Sequence, residues 1–379
     1  MVAPEVFEAM LPYFKQSFGN PSSAHSYGKQ ARQAIEQSRQ QIADLIGASP
    51  SEIFFTSGAT ESDNLAITGS IRTFGLTHAI TSKIEHHAVL HCLQNHVKES
   101  QLEVNYVNLD EKGRLDLNHL EVLLSQYPGS LVSLMHGNNE IGNLNDIELI
   151  GSLCKKYQAI FHSDTVQTIG QHSIHVEKLN VNFIVGSGHK FHGPKGIGFI
   201  YIDKNLPLQP ILHGGSQERQ MRAGTENVSG IVGLAKALEI SQNERAQTNK
   251  HVKNLKFRLI HQLQQNIPDI FFNGNSNAEN ESLGHIVNVS LPALENGQNV
   301  LSYLDENGIA ASGGSACNTG SQSHVLKELP GTIGRENIRF SFSKYNTLTE
   351  VDYIIEKLSA LYSVNEMELN DFTRAYVKE

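Results

Sequence analysis

Residues 187–196 read SGHKFHGPKG and join the apolar run 183–186, FIVG, to a second apolar run at 197–202, IGFIYI. Two buried strands are therefore expected to flank a loop crowded with hydrogen-bond donors. Open α/β sheets place ligands outside the carboxyl ends of their strands, which sets Lys190 at a cleft directly after the first strand. An amine held there is a candidate imine-forming nucleophile, because burial or cationic neighbours lower its pKa, and His189, His192 and Lys195 are close in sequence. A basic surface turn has the same composition, so other stretches must decide between the two.

Outward from this loop the chain alternates. Helical spacing runs from 4 to 14 and, after FGNP at 18–21, from 26 to 46, where Gly47 stops it. Strands at 53–55, 78–81, 104–107, 131–135, 159–162 and 183–186 are separated by helices from 61, from 86, near 117–124 and at 146–157. This is the pattern of an α/β domain whose mainly parallel sheet is covered on both faces. The expected boundary is near residue 245, giving a large domain over 1–245 and a smaller C-terminal α/β domain over 246–379. The second carries a polar helical stretch at 243–265, strands at 285–289 and 338–342, and helices at 298–307 and 350–361. Residues 364–379, with alternating charge and weak periodicity, read as a loosely held tail.

The chain has 379 residues, 39% hydrophobic and 18% charged, with a formal net charge of −9, which describes a globular protein and gives no basic signature for a nucleic-acid partner. No apolar run approaches the roughly 20 residues needed to cross a bilayer, and no basic-then-apolar leader opens the sequence, so a cytoplasmic protein is expected. Three scattered cysteines, Cys92, Cys154 and Cys317, make neither a disulfide framework nor a metal knuckle.

Four further stretches offer chemistry. TSGATES at 56–62 follows a strand and opens a helix, so its free amides and a threonine hydroxyl suit a phosphate; a capping segment with Thr60 as N-cap is the simpler alternative. Asp164 ends the 159–162 strand region and reaches the same sheet edge as Lys190. A buried aspartate facing a pyridine nitrogen keeps that nitrogen protonated, which pyridoxal phosphate requires beside its lysine, although a helix-capping carboxylate looks the same. His86, after another strand end, suits ring stacking or proton transfer. Asn139 and Gln167 offer amides at that edge or simply form turns. His87 and His91 stand at i, i+4, but no HExxH accompanies them, so no metal site is expected. Cys317 sits in ASGGSACNTGSQS at 311–323, a run able to carry a thiol to a cofactor, whereas Cys92 and Cys154 fall on helical patterns as inert core thiols. Arg339 can offer its planar fork to a carboxylate or join a structural ion pair.

With these pieces in place, the chain resembles the cysteine desulfurases of the NifS/IscS type, class-V aminotransferases of PLP fold-type I. The likeness rests on FGNPSSAH, FTSGATESDNLAI, SKIEHHAVL, MHGNNEIG, SDTVQTIG, SGHKFHGPKGIG, HGGSQERQMRAGTENV, GGSACNTGS and IRFSF, in that order. It implies a large PLP-binding domain with a mainly parallel seven-stranded sheet between helices, plus a small C-terminal α/β domain carrying the cysteine loop. It makes Lys190 the Schiff-base lysine, Asp164 the partner of the pyridine nitrogen and Gln167 that of the ring hydroxyl. His86 would stack on the ring and move protons, with Asn139 beside the cofactor. Ala59, Thr60, Ser187 and His189 match the phosphate contacts, and Thr225 those made across a homodimer. Arg339 would bind the carboxylate of L-cysteine. Cys317 would take up its sulfur as a persulfide, with alanine released and an iron–sulfur scaffold or a tRNA-thiolation protein as acceptor.

Three departures accompany the likeness. The family's opening strand, similar to YLDNAATTP, has no counterpart before Met1, so a truncated reading with an incomplete substrate pocket is expected. The stretch after Cys317 is slightly short, and Ser163 and Thr165 replace small apolar residues. A selenocysteine lyase or other class-V enzyme, and a catalytically silent partner in sulfur trafficking, are the alternative readings.

Overall fold

The computed structural model describes residues 1–99, 102–294, 297–313 and 323–376. The chain divides into two units, one made of residues 1–108, 115–137 and 145–245 and the other of 109–114, 138–144 and 246–379.

In the first unit two helices, α1 (Pro4–Lys15) and α2 (Ser26–Ile46), precede the sheet. Strand and helix then alternate as β1 (Ile53–Thr56), α3 (Ala59–Phe74), β2 (His78–Thr81), α4 (His87–Glu99), β3 (Glu103–Tyr106), α5 (Leu117–Gln126) and β4 (Leu131–Ser133). The series ends with α6 (Ile147–Lys156), β5 (Ile160–Asp164), α7 (Val176–Leu179), β6 (Phe183–Ser187), β7 (Gly198–Ile202) and α8 (Val228–Asn243). The seven strands form one sheet in the order β1-β7-β6-β5-β4-β2-β3. Strands β3, β2, β4, β5 and β6 are parallel; β7 alone is reversed, pairing antiparallel with both β6 and β1. Two successive reversals return β1 to the direction of β6. The carboxyl ends of β1, β2, β4, β5 and β6 therefore share one edge, and the loops that leave it carry TSGATES, SKIEHH, MHGN, SDTVQ and SGHK.

The central strands are buried on both faces, which their near-continuous apolar sequences require. On one face the core joins Ile35, Ile42 and Ile46 of α2 and Leu234 and Leu238 of α8 to Phe199 and Ile184 of the sheet; on the other, Leu65 and Ala66 of α3 pack with Phe183, Val185 and Ile200.

Helix α3 sits very close to the sheet at its start. A Cβ on Gly198 would lie 2.6 Å from the Gly186 carbonyl oxygen and 2.8 Å from Gly58 Cα, so backbone rests on backbone where three strand-end loops meet. Hydroxyls complete the contact: Thr56 Oγ1 and Ser62 Oγ are 2.8 Å apart, and Ser62 Oγ lies 3.4 Å from the Phe199 carbonyl.

The second unit contains α9 (Arg245–Asn266), β8 (Phe271–Phe272), β9 (Ile286–Leu291), α10 (Val300–Glu306), α11 (His324–Lys327), β10 (Glu336–Ser341) and α12 (Leu348–Tyr376). Its antiparallel sheet, in the order β10-β9-β8, packs Val287, Val289, Ile338 and Phe340 against Leu255, Leu259 and Leu263 of α9 and Leu358 of α12.

Several boundaries differ from those read in the sequence. The polar helix expected over 243–265 is the second of two, and α8 before it went unread because Gly230 and Gly233 interrupt its pattern. The residues from 364 expected as a tail continue α12 to Tyr376. Among the described residues no helix is long and apolar enough to cross a membrane.

The Gly198 contact leaves no room for a methyl group. Gly198→Ala is expected to cost about 1–3 kcal/mol, the usual penalty of overpacking a close-packed site, measured as a lower midpoint of urea unfolding by tryptophan-independent far-UV dichroism.

Candidate active site

Lys190 closes a single 3-10 turn, Gly188–Lys190, that follows β6 without a break. The turn is fastened to the strand end: the Gly188 carbonyl accepts from Phe191 N at 3.2 Å and Gly193 N at 2.8 Å, while Gly188 N donates to the Ile197 carbonyl at 3.1 Å. Phe191 is buried below it, and the loop continues through His192 in the left-handed region, φ 64°, to Ala3 N, which donates to the His192 carbonyl at 2.9 Å. The basic sequence thus forms a pinned loop with Lys190 and His189 on its outer side. Ser187, 2% exposed, places its Oγ 3.0 Å from His189 Nδ1. Partial burial, with Lys190 and Lys195 adding positive charge, lowers the pKa of His189 and favours its neutral ring.

Asp164 is the last residue of β5 and 8% exposed. Its Oδ1 accepts from Val166 N at 2.9 Å, and its second oxygen has no hydrogen-bond partner among the described residues. Gln167 lies in the turn immediately after it, half-buried. His86 precedes α4, with Nδ1 accepting from Ala88 N at 3.1 Å and its carbonyl accepting from Val89 and Leu90. An atom of His86, one of Asp164 and one of Asp63 all lie within 4.8 Å of one another, so the structure brings His86 and Asp164 together. A groove of about 410 Å³ beside them is lined by Thr60, Asn64, His86, His87, His91 and Cys92. The rings of His87 and His91 stack within it, centroids 4.6 Å apart.

Thr60 is not the cap of α3. The N-cap is Gly58, with no side-chain cap, so Ala59 and Thr60 occupy the first turn. Their amides find no acceptor in the described protein, which suits an anion at a helix N-terminus. Glu61 instead bonds sideways, to Ser57 N at 2.8 Å and to Arg222 at 2.8 and 3.2 Å. Burial works to raise the Glu61 pKa, but these bonds outweigh it and hold the group below its usual range. The same ion pair ties the loop bearing exposed Thr225 to the start of α3.

That loop is anchored again at Glu218. Its carboxylate receives both terminal nitrogens of Arg39 at 2.7 Å and Phe55 N at 2.8 Å, with both side chains buried. Glu218, Arg219 and Gln220 are consecutive left-handed residues, φ 43°, 55° and 68°, and Arg219 lies over the Phe54 ring at 4.1 Å. Such a run costs about 1–2 kcal/mol per residue and persists only when its neighbours over-determine it.

Asn139 and Arg339 belong to the second unit. Arg339 Nη1 donates to the Asn139 carbonyl at 2.9 Å. The turn itself is made by the neighbouring Asn138, whose Oδ1 accepts from Glu140 N and Ile141 N at 2.8 and 2.9 Å, so Asn139 is not the turn-former. Cys317 lies outside the described residues. On either side of residues 314–322, Ser312 pairs backbone to backbone with Arg339 and Ser323 Oγ donates to the buried Glu140. Cys92 and Cys154 are both buried in helices, and burial raises both thiol pKa values.

The first unit's donor set fits a pyridoxal phosphate: a buried aspartate with one oxygen open, a histidine beside it, a lysine at the next strand end and unpaired helix amides flanking Ser187. Residues 1–354 match the model of the class-V aminotransferase family. The chain belongs to that family. Within it, a relative named Cysteine desulfurase IscS, from Dictyoglomus turgidum, is 40% identical over 364 residues, 94% of this chain and 91% of its own. A solved structure described as a NifS-like protein superposes with a TM-score of 0.87 at 37% identity, covering 96% of each chain. Another, of SspA in complex with cysteine, gives 0.78 at 33% identity over 91% of this chain and 97% of that one.

Sequence reading missed the buried polar groups behind this family site: Asp63, Glu85 and His162, all fully buried. His162 was detectable, since it stands two residues before Asp164 on one strand and shares its face. Asp63 was detectable as a charge on the buried stripe of α3.

Breaking the Arg39–Glu218 pair from one side strands a buried carboxylate. Arg39→Leu is expected to destabilise the protein by about 3–5 kcal/mol, and the double replacement Arg39→Leu, Glu218→Leu by less than the sum of the two single changes. Thermal unfolding of the four proteins checks the pattern.

Proposed function

We propose that this chain is a cysteine desulfurase that holds pyridoxal 5'-phosphate in its first unit, takes sulfur from L-cysteine, releases L-alanine and keeps the sulfur on Cys317 as a persulfide. The observation that carries the reading is the shared carboxyl edge at which Lys190, Asp164 and His86 follow three parallel strands.

Lys190 would be the covalent anchor, and the pinned turn that follows β6 sets its position. Pyridoxal phosphate, when bound, supplies a protonated ring that accepts electron density from the substrate. Asp164 would keep the ring nitrogen charged through its open oxygen, with Val166 N fixing the other. His86 would lie against the ring and move a proton, its orientation set by Ala88 N. The amides of Ala59 and Thr60, with Ser187 and His189, would hold the phosphate, and Gln167 the ring hydroxyl. Thr225 would complete the phosphate site of a second subunit in a homodimer, from the loop that Glu218 and Glu61 anchor.

Arg339 would bind the substrate carboxylate, oriented by its bond to the Asn139 carbonyl, and Asn139 is the amide that the family resemblance assigns to the cofactor. Cysteine as substrate is supported by the relative's name and by the cysteine complex of SspA. The assignment of Cys317 as sulfur acceptor rests on its sequence context, and on the attachment of Ser312, just before residues 314–322, to Arg339. The persulfide would pass to an iron–sulfur scaffold or a tRNA-thiolation protein. A cytoplasmic setting belongs to the same reading, which three scattered cysteines support.

Two experiments test it. Borohydride reduction of the protein loaded with pyridoxal phosphate should label Lys190; Lys190→Ala should lose the label and the visible absorbance, and Lys195→Ala should keep both. A label on Lys195, or none, would sink the assignment. After one turnover with L-cysteine and no reductant, mass spectrometry should find the added sulfur on Cys317. Cys317→Ser should bind cofactor normally yet form no persulfide, and steady turnover by this variant would count against the proposal.

A further inference from the structure

Behind Asp164 lies a second aspartate that the proposed chemistry does not use. Asp63, on α3, is fully buried, and neither of its oxygens receives an N–H or O–H from any described group. Nε2 of His162 lies 3.2 Å from Oδ1, and that nitrogen also has no hydrogen bond in which it donates. His162 is itself fully buried on β5, and its Nδ1 lies 2.9 Å from Ser133 Oγ on β4. One oxygen of Asp63 lies within 4.8 Å of an oxygen of Asp164.

An ionised carboxylate without donors in a dry site is one of the most costly arrangements a protein can contain. Two ionised carboxylates this close are costlier still, because the low dielectric magnifies their repulsion. A single proton removes both problems. Placed on Asp63, it turns an anion without donors into a neutral acid whose oxygen lies 3.2 Å from Nε2, and Nδ1–H of His162 is then free to donate to Ser133.

We propose that Asp63 is a protonated carboxylic acid that donates to Nε2 of neutral His162 and so leaves Asp164 as the charged member of this carboxylate pair. Asp63 is a positioning residue, acting through Asp164. Burial, followed by the charge of Asp164, raises the pKa of Asp63 well above the carboxylate range, and burial lowers that of His162 to about 4 against a smaller opposing effect of Asp164. Two other groups face the pair. Glu85, also buried and raised in pKa chiefly by burial, already accepts from Met135 N at 3.0 Å and Ser82 Oγ at 3.1 Å, and His86 caps α4. The consequence for cofactor binding rests on the reading of Asp164 given above; the protonation of Asp63 does not.

The test uses full-length protein at neutral pH. Infrared difference spectra of wild type against Asp63→Asn, recorded without and with pyridoxal phosphate, should show a carbonyl stretch of a buried carboxylic acid in wild type that the variant lacks. Asn is neutral and of the same shape, and its amide can donate to Nε2. Asp63→Asn should therefore bind pyridoxal phosphate within about threefold of wild type and keep the pH at which the visible band titrates, a change well below one pKa unit of interaction. Asp63→Leu, which removes the donor, should weaken binding, and Asp63→Asn is its conservative rescue. A carboxylate band in place of the acid band, or a loss of about tenfold or more in affinity for Asp63→Asn, would overturn the proposal. Asp164→Asn separates the two readings: if it leaves cofactor affinity and absorbance unchanged, the role given to Asp164 fails while the infrared result on Asp63 stands.

Discussion

Backbone contact among Gly58, Gly186 and Gly198 sets the geometry on which the first unit depends. Because no Cβ intervenes, α3 begins directly against β7. The reversal of β7 is part of the same arrangement. It lets β1 run with β6, so that the loop opening α3 and the loop carrying Lys190 leave the same edge, with Gly198 paired to both Thr56 and Ser187. A side chain at this junction would separate the first turn of α3 from the loop carrying Lys190 by its own thickness.

Charge inside the first unit is handled in two ways. Where a charge is structural it is paired completely: Glu218 has Arg39 on both oxygens and Phe55 N besides. At the sheet edge Asp164 is left partly open, with one oxygen bonded to Val166 N and no hydrogen bond to the other among the described residues. The difference follows from what each must do. A carboxylate that fixes a strained loop has to be satisfied without any ligand, whereas one proposed to recognise a ring nitrogen has to keep a site for it.

Much of this was legible in the sequence, for physical reasons that vary by element. Strands buried on both faces announce themselves as apolar runs, so 183–186 and 197–202 read clearly, and the turn between them placed Lys190. The alternation of strand and helix implied a mainly parallel sheet, and the family resemblance its seven strands. Periodicity failed where small residues interrupt it, as in α8, and at the start of α3, where a glycine with φ 153° caps the helix two positions before the threonine expected to do so. Buried polar pairs left the faintest trace. Arg39 and Glu218 are 179 residues apart, and nothing local in SRQQ or QERQ marks their meeting. Residues 109–114 and 138–144 carry no signal that they pack with the second unit.

That last feature bears on synthesis. The Asn139 carbonyl and the Arg339 guanidinium are 200 residues apart, and the turn at 138–144 leaves the ribosome long before its partner strand exists. The first unit's sheet ends with β7, so its hydrogen bonding can be complete while the 138–144 turn still waits in solvent. Closure of the second unit is thus a late event that only a chain grown past β10 can reach, and until then the Asn139 carbonyl lacks its Arg339 donor.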